Sequence, residues 1–172
     1  MTFSVLLDKS PQGFIDPDII PLLTILNEDE RFETTSSCSG RITLMSGVRK
    51  GDAKWVYKTH ELADASTVYA VLQDLAEGET LRFMYEPFIV HLKCKTFDDV
   101  TEMLSLLHTN GLKKSGMISG KNLIVEINDT GRIETILDKS LSLEYIERLV
   151  AEANTRQKKT KERIKFLEKL YS

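Results

Sequence analysis

Apolar residues recur at helical spacing in several stretches of the chain and alternate at strand spacing between them. Ile19, Ile20, Leu22, Leu23 and Leu26 make one broad apolar face, running to about Glu30. Asp16-Pro17 stands where a helix would open, because Asp can cap free amides and Pro suits the first helical position. Val68, Val71, Leu72 and Leu75 predict a second helix capped by Asp64 and closed at Gly78. Val100, Met103, Leu104 and Leu107 predict a third, starting at Thr96 and ending at Gly111. A long terminal helix follows Ser142, with Leu141 and Ile146 spaced as a hydrophobic staple. Its 3-4 seam runs through Ile146, Val150, Ala153, Gln157, Thr160, Ile164, Leu167 and Tyr171, and the polar middle of that seam argues against an independent coiled coil.

Strand patterns fill the gaps. Arg41 to Met45 and Lys54 to His60 read as strands joined by a basic loop that carries Arg49 and Lys50. Thr80 to Tyr85 and Phe88 to Cys94 are two more, broken at Glu86-Pro87. Leu112 to Ile118, Asn122 to Ile127 and Arg132 to Leu137 complete the set, the last two separated by the turn Asn128-Asp129-Thr130-Gly131. Thr34 to Gly40 is small and polar, and should run extended before turning at Gly40. Strands and helices interleave without steady alternation, which predicts an α+β fold with a mixed, largely antiparallel sheet packed with helices and a long C-terminal helix. The strand-strand-helix-strand order around the second helix recurs around the third, as an internal duplication would. Residues 1–172 are read as a single domain.

Composition narrows the class. The chain has 172 residues, 41% hydrophobic and 28% charged, the balance of a globular protein large enough to bury a core unaided. Two cysteines, Cys38 and Cys94, are too few for a disulfide framework and suit a reducing cytosol. No secretory leader pattern opens the chain, and no apolar run is long enough to span a bilayer, so a cytoplasmic location without membrane partners is expected. The formal net charge of −3 argues against indiscriminate coating of nucleic acid, while leaving room for local basic patches.

The segment from Thr34 to Arg41 combines hydroxyls, a cysteine and an arginine, and such a turn can bind a carboxylate or phosphate through backbone donors and Arg41. A serine-rich turn leading a strand is the plainer reading. His60, His91 and His108 lack metal-ligand spacing with each other or with the cysteines, and Cys94 falls on the strand face opposite His91, so no metal is expected. His60 and His91 serve better as acid-base candidates. Trp55 can stack a base, although a core position is the commoner fate of a tryptophan. There is no G-x-G-x-x-G after a strand, so a Rossmann-type cofactor site is not announced.

One family shows these features in this order. Thr34-Thr35-Ser36-Ser37-Cys38-Ser39-Gly40-Arg41, Lys54-Trp55 with His60, Glu86-Pro87-Phe88-Ile89-Val90-His91 with Cys94, and Gly111 with Ser115-Gly116 resemble the tRNA wybutosine-synthesizing protein 3 family, in its archaeal stand-alone form. Leu7-Asp8-Lys9-Ser10, Asp16 and Ala153-Asn154 fit as well. The resemblance implies a methyltransferase with an α+β fold unlike the Rossmann type. It would use S-adenosyl-L-methionine to methylate nitrogen-4 of the tricyclic wyosine precursor at position 37 of phenylalanine tRNA, in the anticodon loop. On that footing Ser36, Ser37, Cys38, Ser39, Gly40 and Arg41 are expected to bind the cofactor. Lys54, Trp55, Ser115 and Gly116 are expected to bind substrate, and Asp8, His60 or His91 to accept the proton. Gln12, where a basic residue is common in the family, would weaken contact with tRNA phosphate. The competing readings are a non-catalytic RNA-binding module and, with less support from ligand spacing, a His/Cys metal-dependent hydrolase.

Overall fold

The computed structural model describes residues 15–47 and 53–171, so the expectations placed on Asp8, Gln12, Arg49 and Lys50 lie outside the described residues. After a 3-10 turn at Pro17–Ile19 the elements run α1 (Ile20–Glu28), β1 (Phe32–Cys38), β2 (Arg41–Ser46), β3 (Lys54–Thr59), α2 (Ala65–Gln73), β4 (Leu81–Glu86), β5 (Ile89–Cys94), α3 (Phe97–Thr109), β6 (Gly116–Ser119), β7 (Ile124–Asn128), β8 (Ile133–Leu137) and α4 (Leu143–Tyr171). They fall into two compact units. Met1–Ser39, Phe88–Thr130 and Thr160–Ser172 form the first, Gly40–Pro87 and Gly131–Lys159 the second. The α+β class holds, with the strands divided between two four-stranded sheets, β1-β5-β7-β6 and β3-β2-β4-β8. All their pairings are antiparallel.

This division cuts across the repeated strand order. Strands β4 and β5 look like a consecutive pair in sequence, yet they belong to different sheets. The cause is local: Pro87 has no N–H to give a ladder, so β4 ends at Glu86 and pairing resumes only at Ile89. The strand-strand-helix-strand order around α3 therefore does not correspond to one repeated sheet.

In the first unit α1, α3 and the end of α4 supply Leu22, Leu26, Val100, Met103, Leu107, Ile164 and Leu167 to a core shared with Val90, Leu92, Val125 and Ile127. Alternation along β5 and β7 sends those strand residues inward and leaves His91 and Glu126 on the opposite face. Helix α3 is well punctuated. Thr96 and Asp99 form a reciprocal capping box at its start. At its end Gly111 sits at φ +88°, while the amides of Gly111 and Leu112 return to the carbonyls of His108 and Leu107. This is the Schellman arrangement, which needs a left-handed residue. It continues into a turn through Ser115, so β6 begins at Gly116 rather than at Leu112 as the sequence pattern suggested.

In the second unit Ile42, Leu44, Phe83, Tyr85 and Leu137 face Val68 and Leu72 of α2 and Ile146, Val150 and Ala153 of α4. Asp64 caps α2 as expected, accepting from the Thr67 amide at 2.7 Å. The helix ends at Gln73, short of Gly78. Asn154 fixes the approach to α2 by exchanging two hydrogen bonds with the backbone of Ala63. No helix among the described residues is long and apolar enough to cross a membrane.

The polar middle of the α4 seam now has a reason. Gln157 and Thr160 are both buried, and each satisfies main-chain groups. Gln157 Nε2 donates to the carbonyls of Gly40 (3.1 Å) and His60 (2.6 Å) within the second unit. Thr160 Oγ1 accepts from the Phe88 amide (3.2 Å) within the first.

Candidate active site

The residues singled out in sequence are distributed over both units. In the first unit the serine-rich segment runs extended, as expected: Phe32–Cys38 forms the edge strand of the sheet, paired with β5. Its register shifts between Thr34 and Ser36, a bulge that re-aims the side chains after it. Beyond the bulge, Ser36 lies opposite His91, His91 opposite Glu126, and Glu126 opposite Gly116. These four residues make one line across the whole sheet, on the face turned away from the core. Cys38 pairs with Ile89 on the same side, and Ser37 falls opposite Val90.

His91 is held in this line. Its Nε2 lies 3.1 Å from Glu126 Oε2, and a carboxylate can only accept, so Nε2 carries the hydrogen and the lone pair of the neutral ring sits on Nδ1. Glu126 is itself fixed by Asn128, whose Nδ2 donates to Oε1 at 2.6 Å. The Asn128 amide in turn donates to Ser115 Oγ at 3.2 Å, which ties Ser115 to the same corner. Sequence reading missed Glu126 and Asn128. The signal was strand parity, since both alternate with the core residues Val125 and Ile127 and so must share the face of His91. His108 pairs with the Ser115 carbonyl through Nε2 at 2.8 Å.

Ser39 is fully buried, and its amide and hydroxyl are already engaged within the chain. Its amide donates to Asp16 Oδ2 at 2.8 Å, and Lys161 Nζ donates to its hydroxyl at 2.8 Å while pairing with Asp18 at 2.6 Å. The amide that was to receive an anion already serves a carboxylate. The same bond corrects the reading of Asp16 as a helix cap, because its side chain makes no cap hydrogen bond to the 3-10 turn.

The second unit holds Gly40, Arg41, Lys54, Trp55 and His60. Gly40 adopts φ +95°, a conformation that favours glycine. Its carbonyl receives Gln157 Nε2 and also lies 3.1 Å from His60 Nδ1. A carbonyl only accepts, so Nδ1–H is fixed there and the lone pair of neutral His60 is on Nε2. Arg41 donates to Glu86 Oε2 at 2.7 Å and lies over the Trp55 ring, 4.6 Å from its centroid. Trp55 is no core residue: it is 45% exposed, because β3 is the edge strand of its sheet. Lys54 pairs in register with Ser46 on the opposite face of that strand.

Cys94 is a core side chain, and burial pushes its thiol up to about 11, so at neutral pH it offers neither a nucleophile nor a ready metal ligand. It lies on the face opposite His91, as strand parity required.

Similarity to known proteins fits this arrangement. The family model described as "Methyltransferase TYW3" matches residues 2–171. A Pyrococcus horikoshii protein named tRNA(Phe) 7-((3-amino-3-carboxypropyl)-4-demethylwyosine(37)-N(4))-methyltransferase 1 is 37% identical, over 91% of this chain and 84% of its own length. The Xenopus laevis tRNA wybutosine-synthesizing protein 3 homolog is 34% identical over 91% of this chain, which spans 66% of that longer relative. Among solved structures, PH1069 protein from Pyrococcus horikoshii has a TM-score of 0.83 at 35% identity, covering 94% of this chain and 87% of the other. With the family match running almost end to end and the fold shared, this chain belongs to the TYW3 methyltransferase family.

Proposed function

We propose that the chain transfers a methyl group from S-adenosylmethionine to nitrogen-4 of the tricyclic wyosine precursor at position 37 of phenylalanine tRNA. The observation that carries this reading is the near full-length family match, joined to 37% identity with a relative named for that reaction. The same reading carries a cytosolic location with it.

Residues from Ser36 to Arg41 are assigned to the methyl donor, which supplies an electrophilic methyl on a sulfonium. One feature of the second unit suits it. Gln157 Oε1 is a buried acceptor without a hydrogen-bond donor, on a side chain bonded to Gly40, and the donor molecule brings ammonium and amino N–H groups. Lys54, Trp55, Ser115 and Gly116 are assigned to the substrate side, where the exposed Trp55 ring can stack a base drawn out of the anticodon loop. The acceptor nitrogen must lose its proton as the new bond forms. His60 through Nε2 or His91 through Nδ1 is set to take it, each ring held in one tautomer by its other nitrogen. Asp8 remains the third candidate for this role. Holding acceptor and donor in line supplies much of the acceleration, about 7–11 kcal/mol at best.

The reading is tested by incubating the purified protein with methyl-labelled S-adenosylmethionine and phenylalanine tRNA that carries the unmethylated precursor. Label in this tRNA, and none in tRNA with plain guanosine at position 37, is the expected result. Replacing the responsible histidine by Gln lowers turnover by about 100-fold or more while leaving donor binding in place. Absence of label with tRNA still bound would instead favour a non-catalytic RNA-binding module.

A further inference from the structure

We propose that the outer face of the β3-β2-β4-β8 sheet is the surface on which a single-stranded stretch of RNA, the anticodon loop of the substrate tRNA, is held. The inference rests on the tRNA reading above and adds the place and manner of binding.

Ile42, Leu44, Phe83, Tyr85 and Leu137 point into the core of the second unit, so their neighbours in each strand share the other face. Register lines up Trp55, Met45, Arg82 and Ile136 across the sheet, and this row is the accessible one; in the next row, Lys58, Thr43, Met84 and Glu134, the central Thr43 and Met84 are buried. Arg41 and Glu86 follow, with Arg132 pairing to Glu86 at 3.4 Å. Among the described residues, three guanidinium groups, those of Arg41, Arg82 and Arg132, stand here in ion pairs with the carboxylates of Glu86 and Glu134. Three guanidinium groups against two carboxylates leave this face positive, in a chain whose formal charge is −3.

The face is also not an ordinary solvated one. A sheet surface turned to water is normally polar along its alternate positions. Here Trp55 is 45% exposed and Ile136 70%, on the two edge strands of one register row, with Arg82 between them. Flat apolar and aromatic surface interleaved with guanidinium groups matches the two parts of a single-stranded nucleic acid. Bases stack on aromatic and guanidinium planes, and phosphates meet the cations. An acidic peptide would use the charges and leave the tryptophan idle, and peptides commonly add to a sheet along its edge rather than lie across its face. Arg41, stacked on Trp55 and bonded to Glu86, holds the ring in place for an incoming base.

Trp55 is the sole tryptophan, so its emission reports on this face directly. An anticodon stem-loop of phenylalanine tRNA, titrated into the full chain, is expected to quench that emission saturably. The double variant Arg82→Ala/Arg132→Ala, checked for a native circular dichroism spectrum, should bind at least ~10-fold more weakly. Its slope of log affinity against log salt should fall by about one for each phosphate contact removed. Lys169→Ala, in the first unit, should change neither quantity. Tight binding of the stem-loop with unchanged emission and unchanged affinity in the double variant would overturn this surface while leaving the methyl-transfer reading intact. No binding of stem-loop or whole tRNA at any salt concentration would overturn both. Equal quenching by a polyglutamate peptide at the same affinity would replace RNA by an acidic protein partner and sink the proposal.

Discussion

Thr43 sits at the centre of the second unit's sheet, fully buried, with a hydroxyl that has no hydrogen-bond partner. A buried hydroxyl without a partner carries its full desolvation cost, and valine has nearly the same shape. Thr43→Val should therefore stabilise the protein by about 1 kcal/mol, read as a higher urea midpoint at unchanged slope. Cys94 makes the opposite kind of prediction. Its thiol titrates at an ordinary 9.0 when unfolded and at about 11 when folded, because burial disfavours the thiolate. The folded state then binds more protons across that interval, so its stability is fully present below about 9 and declines as pH rises toward about 11. Denaturant midpoints measured across this window should fall, and Cys94→Ala, starting from a lower stability, should show a shallower decline. At this scale the sequence was a mixed guide. It singled out His60, His91 and the Ser36–Arg41 segment as candidates, but the plainer reading of Trp55 put it in the core, because no sequence pattern reveals which strand will be an edge. Glu126 was hidden for a similar reason: its partner His91 is 35 residues away, and only register brings them together.

Elements were easier to read than residues where local chemistry decides them. The Thr96–Asp99 capping box, Asp64 at α2 and Ser142 at α4 all lie where the sequence placed helix starts. Removing the first by Thr96→Ala should cost about 1 kcal/mol in thermal or urea unfolding. Readings failed where distant groups override local ones. Asp16 looks like a cap, but a charge-assisted bond from the Ser39 amide, 23 residues on, claims its carboxylate. Gln157 looks like a flaw in an apolar seam, but it answers two carbonyls that lie about a hundred residues earlier. Gln157→Leu fits the seam better by pattern and should nonetheless destabilise the protein by about 2 kcal/mol, because the carbonyls of Gly40 and His60 lose a buried donor. A variant as stable as the parent would show that neither carbonyl depends on it.

At the scale of the molecule, the chain passes between its two units after Ser39, Pro87, Thr130 and Lys159, and α4 contributes to the core of each. Fold class was legible from the mixture of periods, whereas the division into two sheets was not, since the break at Pro87 reads the same whether the strands that flank it share a sheet or belong to two. Function was legible through the ordered motifs of the family and not through charge or composition, which describe an ordinary acidic protein. The central claim is a defined chemical change at a single nucleoside. Phenylalanine tRNA bearing the unmethylated precursor should be incubated with the protein and S-adenosylmethionine, digested, and the position-37 nucleoside examined by tandem mass spectrometry. The account predicts a nucleoside heavier by one methyl group, with fragments that place the methyl on nitrogen-4. An unchanged nucleoside, or a methyl carried anywhere else in the tRNA, would contradict it.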